Sequence, residues 1–251
     1  MPNSPILIVR PLREEDAFLA LLNQASVAFK YIPIMEIQPV TEVSTDYPDA
    51  LETIDRLAQF DQAIFISANA AEVGLSMISA RWPTLPENIE FLAVGQQTAE
   101  VFNSFDYPVQ CPEGKPNTEG LLEELPQLQN LASKSVVIFR GGQGRQTLGE
   151  ELERRGGTVK YCELYRRDIQ QQRLAEAKSF VANAGCLVVH SGELLQAMGN
   201  PVDKHIPLVV PSDRIAKSAH KMGYQTIQVA KNALPTSMFE AVMQAVSTEH
   251  K

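Results

Sequence analysis

Ser135-Val136-Val137-Ile138-Phe139-Arg140-Gly141-Gly142-Gln143-Gly144 is an unbroken apolar run that stops at an arginine and a glycine turn. A short β-branched run with no polar alternation predicts a strand buried on both faces, as in a parallel sheet. The glycines let the chain turn tightly from that strand into a helix. The same grammar recurs on either side. Ala63-Ile64-Phe65-Ile66 leads into Ser67-Ala68-Asn69-Ala70, and Phe91-Leu92-Ala93-Val94 leads into Gly95-Gln96-Gln97-Thr98. Leu187-Val188-Val189 leads into His190-Ser191-Gly192, and residues 207–210 lead into Pro211-Ser212-Asp213. At the start, Ile6-Leu7-Ile8-Val9 ends at Arg10-Pro11. A helix is predicted over 14–23, with Phe18, Leu19 and Leu22 on one face, and a strand over 29–34. Strands alternating with helices predict an α/β fold with a helical layer on each face of a parallel sheet.

The elements also repeat. Residues 65–73, 94–102, 109–112 and 118–122 read as strand–Ser–helix, strand–turn–helix, short strand and capped helix. Residues 189–195, 210–218, 227–230 and 236–239 give that order again. The expectation is two similar three-layer α/β domains. The extended stretches 33–40 and 163–168 are joints, one leaving the first domain and one returning to it. The first domain is then discontinuous, 1–36 with 168–251, and the second, 37–167, is inserted. The two joints form a two-stranded connector suited to a hinge.

Composition removes several classes of function. Of 251 residues, 44% are hydrophobic and 21% charged, and the net charge is −8. No basic cluster offers a footprint for duplex DNA or RNA, so no nucleic-acid partner is expected. Met1-Pro2-Asn3-Ser4-Pro5 lacks the charged and apolar segments of a signal peptide, and no apolar run approaches a membrane span, so the expectation is a cytoplasmic protein without membrane contact. Cys111, Cys162 and Cys186 are scattered and read as reduced structural thiols.

In an open parallel sheet the ligand sits beyond the strand C-termini, where helix N-termini point. The candidates there are Arg10, Ser67, Asn69, Gly95, Thr98, Arg140, Gly141, Gly142, Gly144, Ser191 and Ser212. They are hydroxyls, amides, backbone N–H groups and two arginines, a set suited to anions. The plainer reading is that Ser67, Thr98, Ser191 and Ser212 are helix N-caps. The candidate set contains no carboxylate pair and no His or Cys cluster, and the four histidines have no ligand-spaced partners, so neither a metal nor a hydrolytic triad is expected. The loop after Phe139 is not a phosphate-binding P-loop. It partly fits a dinucleotide fingerprint, with Gly142-x-Gly144 and Glu163 in the next strand, but Thr147 stands where the third glycine belongs. A nucleotide- or S-adenosylmethionine-binding enzyme using that loop is the alternative reading. Tyr165 lies at the second joint, where a tyrosine either packs an interface or reaches a cleft.

Taken together and in order, these segments resemble the uroporphyrinogen-III synthase family. The matching segments are Val9-Arg10-Pro11, Ser67-Ala68-Asn69-Ala70, Val94-Gly95-Gln96-Gln97-Thr98-Ala99, Glu119-Gly120-Leu121-Leu122, Arg140-Gly141-Gly142-Gln143-Gly144-Arg145 and the run 159–167 ending in Tyr165-Arg166-Arg167. Two positions depart from the family pattern. Ile215 stands where many members have Thr, and His190 replaces a Thr or similar residue before Ser191. The resemblance implies a monomeric lyase of haem biosynthesis that has its active-site cleft between the two domains, needs no cofactor and closes hydroxymethylbilane, a linear tetrapyrrole with eight carboxylates. It leaves room for transient contact with the preceding pathway enzyme. Substrate contacts fall to Arg10, Ser67, Asn69, Thr98, Arg140, Gly141, Gly142, Ser191 and Ser212, and assistance to the chemistry falls to Tyr165. The family reaction loses water, inverts the last ring through a spiro intermediate and gives uroporphyrinogen III.

Overall fold

The computed structural model describes residues 4–12, 16–142 and 146–247. The chain runs β1 (Ile6–Pro11), α1 (Ala17–Gln24), β2 (Phe29–Pro39), α2 (Tyr47–Asp55), β3 (Gln62–Phe65), α3 (Ala68–Arg81), β4 (Glu90–Ala93), α4 (Gln96–Phe102) and α5 (Thr118–Glu124). It continues through β5 (Ser135–Gly141), α6 (Thr147–Arg154), β6 (Thr158–Ile169), α7 (Gln171–Phe180), β7 (Cys186–Val189), α8 (Gly192–Met198), β8 (Leu208–Val210), α9 (Asp213–Met222), β9 (Ile227–Val229) and α10 (Pro235–Ser247). Two compact units result: Met1–Glu36 with Asp168–Lys251, and Ile37–Arg167. The chain leaves the first on β2 and returns on β6. Among the described residues, no helix is long and apolar enough to cross a membrane.

In the first unit the strands lie in the order β2-β1-β7-β8-β9, with parallel neighbours in the ladders β1–β2, β1–β7, β7–β8 and β8–β9. Alternate side chains of each strand face opposite layers. Ile6, Ile8, Val188 and Val209 bury against Phe18 and Leu22 of α1 and Met238, Ala241 and Val242 of α10. Leu7, Val9, Leu187 and Val189 bury against Leu174 of α7, Leu194 and Leu195 of α8, and Ile215 of α9. The helices after β1 and β7 therefore go to opposite faces. This makes the β1–β7 boundary the switch point of a doubly wound sheet.

The second unit repeats the plan from a different starting strand. Its order is β6-β5-β3-β4, again parallel, and Gln110 bridges to Leu92 on the far side of β4. Phe65, Phe91, Val137 and Phe139 pack against α2, α3 and α4, while Ile64, Leu92, Val136 and Ile138 pack against α5 and α6. Setting β5 on β1, β6 on β2, β3 on β7 and β4 on β8 reproduces the first unit's order. The two units are thus circular permutations of one plan, which is why the sequence repeat is real but does not halve the chain.

Some boundaries differ from the sequence expectation. Helix α1 starts at Ala17, not at residue 14, because the Asp16 carboxylate caps it by accepting from the N–H groups of Phe18 and Leu19. Glu14 itself lies outside the described residues. The strand expected over 29–34 and the joint over 33–40 are one strand, β2, running through Pro33, whose fixed φ suits an extended chain. The short strand expected over 109–112 is a single bridge at Gln110.

Phe65 and Phe139 stack at 4.6 Å between ring centroids in the middle of the second unit, and both are fully buried. Phe139→Ala is expected to destabilise the protein by about 3–5 kcal/mol, the usual range for an aromatic cavity. Urea unfolding of the two proteins checks it.

Candidate active site

Among the described residues, the candidates other than Tyr165 stand at or just beyond the C-terminal end of a strand, but the structure sorts them into different roles. Tyr165 is the most informative. Strands β5 and β6 pair in step from Ser135–Thr158 to Arg140–Glu163, and then Gly141 pairs with Tyr165, leaving Leu164 as an extra residue. Simple alternation would turn Tyr165 to the face carrying Tyr161 and Glu163. The bulge instead keeps it in the same core as Cys162 and Leu164. The Tyr165 ring then lies directly on the Gly141 backbone, where a β-carbon would come within 2.5 Å of two ring carbons. Glycine is required there for this close approach.

The Tyr165 hydroxyl is held from two sides. It lies 3.1 Å from Ser67 Oγ, and Arg167 Nη2 donates to it at 3.1 Å. Ser67 is the N-cap of α3 and accepts from the Ala70 N–H at 3.1 Å. One phenol, one hydroxyl and one guanidinium thus meet on β6 beside the ends of β3 and β5, with the side chain of Tyr165 almost wholly buried and only 1% of the residue exposed. Gly142 lies beside them, but its N–H is engaged by the Tyr165 carbonyl at 2.8 Å and is not free for a substrate.

The first unit carries the same backbone arrangement. In β1–β2, Val9 pairs with Ile32 and Pro11 with Met35, again with one residue extra. Ile32, Ile34 and Met35 share a core as Cys162, Leu164 and Tyr165 do. Met35 is therefore the counterpart of Tyr165, Arg10 of Arg140, and Ser191 of Ser67. Ser191 caps α8 by accepting from Leu194 N–H at 3.2 Å. At this bulge position the second unit has a phenol that can give up a proton, where the first has a thioether.

The two arginines are built into internal ion pairs. Arg10 Nη1 meets Asp16 at 2.8 Å and its guanidinium stands 5.8 Å from the Phe18 ring. Arg140 Nη2 meets Glu163 at 2.9 Å and lies 4.1 Å above the Tyr161 ring, on the face away from Tyr165. A substrate carboxylate would have to compete with these partners, and removing either acid would leave a charge largely shielded from water. The Arg140 pair also weakens the dinucleotide reading. Glu163 is ion-paired and β6 continues to Ile169, whereas a ribose-binding acid ends its strand. Gly144 lies outside the described residues.

The remaining candidates divide. Thr98 is not a cap: Gly95 holds the N-cap place of α4 and Thr98 is buried inside the first turn. Ser212 stands at the N-cap of α9, yet its side chain makes no capping bond. Its hydroxyl therefore differs from those of Ser67 and Ser191, and Ile215 of the same turn is buried. Asn69 is the second residue of α3, half-buried. His190 packs edge-on against Phe18 at 5.0 Å. Burial pushes the Cys162 thiol up to about 12, so it stays protonated at neutral pH and is no nucleophile. Among the described residues, no group of three or more His, Cys, Asp or Glu could hold a metal ion. Arg167 was absent from the sequence candidates. Its signal was its place in the family-matching run Tyr165-Arg166-Arg167, two residues after Tyr165 and so on the same side of an extended chain.

A profile for the family described as Uroporphyrinogen-III synthase HemD matches residues 16–240. The uroporphyrinogen-III synthase of Escherichia coli (strain K12) is 30% identical, with 94% of this chain and 99% of that protein covered. That of Salmonella typhimurium (strain LT2) is 32% identical over the same shares. Among solved structures, a mutant uroporphyrinogen III synthase from the extremely thermophilic bacterium Thermus thermophilus superposes with a TM-score of 0.69 at 15% identity, covering 98% of this chain and 100% of that one. The uroporphyrinogen-III synthetase of Helicobacter pylori 26695 gives 0.61 at 15% identity over 96% and 99%. The two structures establish likeness of fold.

Gly141→Ala is expected to destabilise by about 1–3 kcal/mol, as overpacking does. The loss should shrink in a Tyr165→Ala background, where the clashing ring is gone. Equal losses in both backgrounds, measured by thermal or urea unfolding, would mean that the ring is not what the glycine accommodates.

Proposed function

The chain belongs to the uroporphyrinogen-III synthase family, lyases of tetrapyrrole biosynthesis, and we propose on that premise that it closes hydroxymethylbilane to uroporphyrinogen III with Tyr165 assisting the loss of water. The observation that carries this reading is the Tyr165 phenol, held by Ser67 and Arg167 at the strand ends. A phenol carries an O–H that can donate a hydrogen bond or a proton to a leaving hydroxyl.

The proton leaves the phenol for the hydroxyl on the first ring as its C–O bond breaks. Water departs with the bonding pair, and the pyrrole nitrogen, keeping its N–H, supplies electrons to the carbon left behind, forming the protonated azafulvene. The last ring attacks through its substituted carbon to give the spiro intermediate, which fragments and recloses with that ring reversed. The proton lost from the last ring's unsubstituted carbon at closure balances the one first donated. Left alone, the azafulvene closes through the unsubstituted carbon to the symmetric isomer. The greater part of the protein's task is therefore to hold the chain ends so that only one attack is open.

Carboxylate contacts are proposed at the strand ends of each unit, at Asn69 on α3, Thr98 on α4, Ser191 on α8, Ser212 on α9, and the backbone at Gly141; Ser67 is engaged by the Tyr165 phenol and the Ala70 N–H, and the Gly142 N–H by the Tyr165 carbonyl. The positive ends of the longer helices α3 and α9 favour anions. Ser212 is the strongest of these, because its hydroxyl makes no bond to its own helix. Arg10 and Arg140 contribute positive potential from within their ion pairs rather than as open forks.

With substrate generated in situ, type III product should form well above the spontaneous rate, and type I product alone would overturn the reading. Tyr165→Phe should lower kcat by roughly 10²-fold, the lower end for general acid help, with KM nearly unchanged. Unchanged turnover would remove Tyr165 from the mechanism. Ser212→Ala should raise KM by less than about 10-fold at constant kcat, the scale of one hydrogen bond to a charged group. An unaltered KM would remove that contact.

A further inference from the structure

We propose that Arg167 is a positioning residue that orients the proton of the Tyr165 phenol toward the substrate, an inference that rests on the acid role of Tyr165. A phenol oxygen has one hydrogen and two lone pairs. Arg167 Nη2 donates to one lone pair at 3.1 Å, and a guanidinium has no acceptor, so the direction of this bond is fixed. The phenolic proton then has two possible acceptors, Ser67 Oγ at 3.1 Å or a bound substrate. Ser67 Oγ already accepts from the Ala70 N–H as the N-cap of α3. When the serine hydroxyl turns its own hydrogen to the phenol, both phenol lone pairs are filled and the O–H points outward.

The neighbouring arginine is committed elsewhere. Arg166 pairs with Asp46 at 2.6 Å and donates to Thr45 at 2.7 Å, while Arg167 is the one that reaches the phenol. Adjacent residues of an extended chain point to opposite sides, and the bulge at Leu164 sets which side Tyr165 and Arg167 share. Arg167 is exposed and Tyr165 is buried, so the guanidinium approaches the phenol from the solvent side. When the phenol gives its proton to the departing hydroxyl, the C–O bond pair leaves with the new water, and the phenolate left behind faces a fixed cation. The proton released from the last ring at closure restores the phenol.

The rival role for Arg167 is a direct contact to a substrate carboxylate, and the two separate in a double-mutant cycle. Steady-state rates are measured with in situ hydroxymethylbilane for Arg167→Met, Arg167→Lys, Tyr165→Phe and the Tyr165→Phe/Arg167→Met pair, each matched to wild type by thermal melting. Arg167→Met should lower kcat by about 10-fold or more with KM within about 2-fold, the pattern of an interaction that matters in the transition state. Arg167→Lys should recover part of that loss. In the Tyr165→Phe background, Arg167→Met should change kcat by less than about 2-fold, since there is no phenol left to orient. A raised KM at constant kcat, or an equal kcat loss in both backgrounds, overturns the inference. So does a wild-type rate for Arg167→Met beside a slow Tyr165→Phe. A wild-type rate for Tyr165→Phe overturns the acid role itself, a distinguishable result.

Discussion

A parallel strand pair cannot turn one face to water and still be made of residues such as Ile6, Leu7, Ile8 and Val9, all buried here. Each strand must therefore be followed by a helix that covers one face or the other. Helices after β1 and β7 cover opposite faces of the first unit, and those after β3 and β5 cover opposite faces of the second. The loops that make these crossings all lie at one end of their sheet, which is where Arg10, Ser67, Arg140, Ser191 and Ser212 are found. Coverage of apolar strands thus creates a polar rim, before any ligand is considered.

That rim is built twice, once in each circularly permuted unit, and the chemistry differs by one side chain. The same bulge that turns Tyr165 onto Gly141 turns Met35 opposite Pro11. Backbone geometry is shared, while a phenol stands in one copy and a thioether in the other. The architecture accordingly says little about reactivity, and the identity of the residue at the bulge says much more.

The strands were legible because buried parallel strands are continuous apolar runs, and the two-unit organisation was legible because the repeat resumes after position 189. Other features depended on contacts that a linear sequence does not display. Thr98 looked like a cap because a hydroxyl follows a strand, but Gly95 takes that place. Arg10 and Arg140 looked like open anion forks, but Asp16 and Glu163 engage them. The facing of Tyr165 follows from a register shift. Its trace in the sequence is the consecutive apolar pair Leu164-Tyr165, which breaks the alternation of 160–164 just as Ile34-Met35 does. Arg167 becomes notable only once that facing is known.

The order in which the units are written along the chain has a consequence for biosynthesis. Ile37–Arg167 is contiguous and can fold as soon as it has been made. The other unit cannot, because β1 emerges first while its neighbour β7 lies in the segment Asp168–Lys251. Until that segment is made, the apolar β1 keeps one edge unpaired and both faces uncovered by α7 to α10, the state most open to aggregation. Truncations near the C-terminus therefore strike the strand at the N-terminus, and a ribosome stalled late on this message would hold one finished unit and one waiting for its last helices.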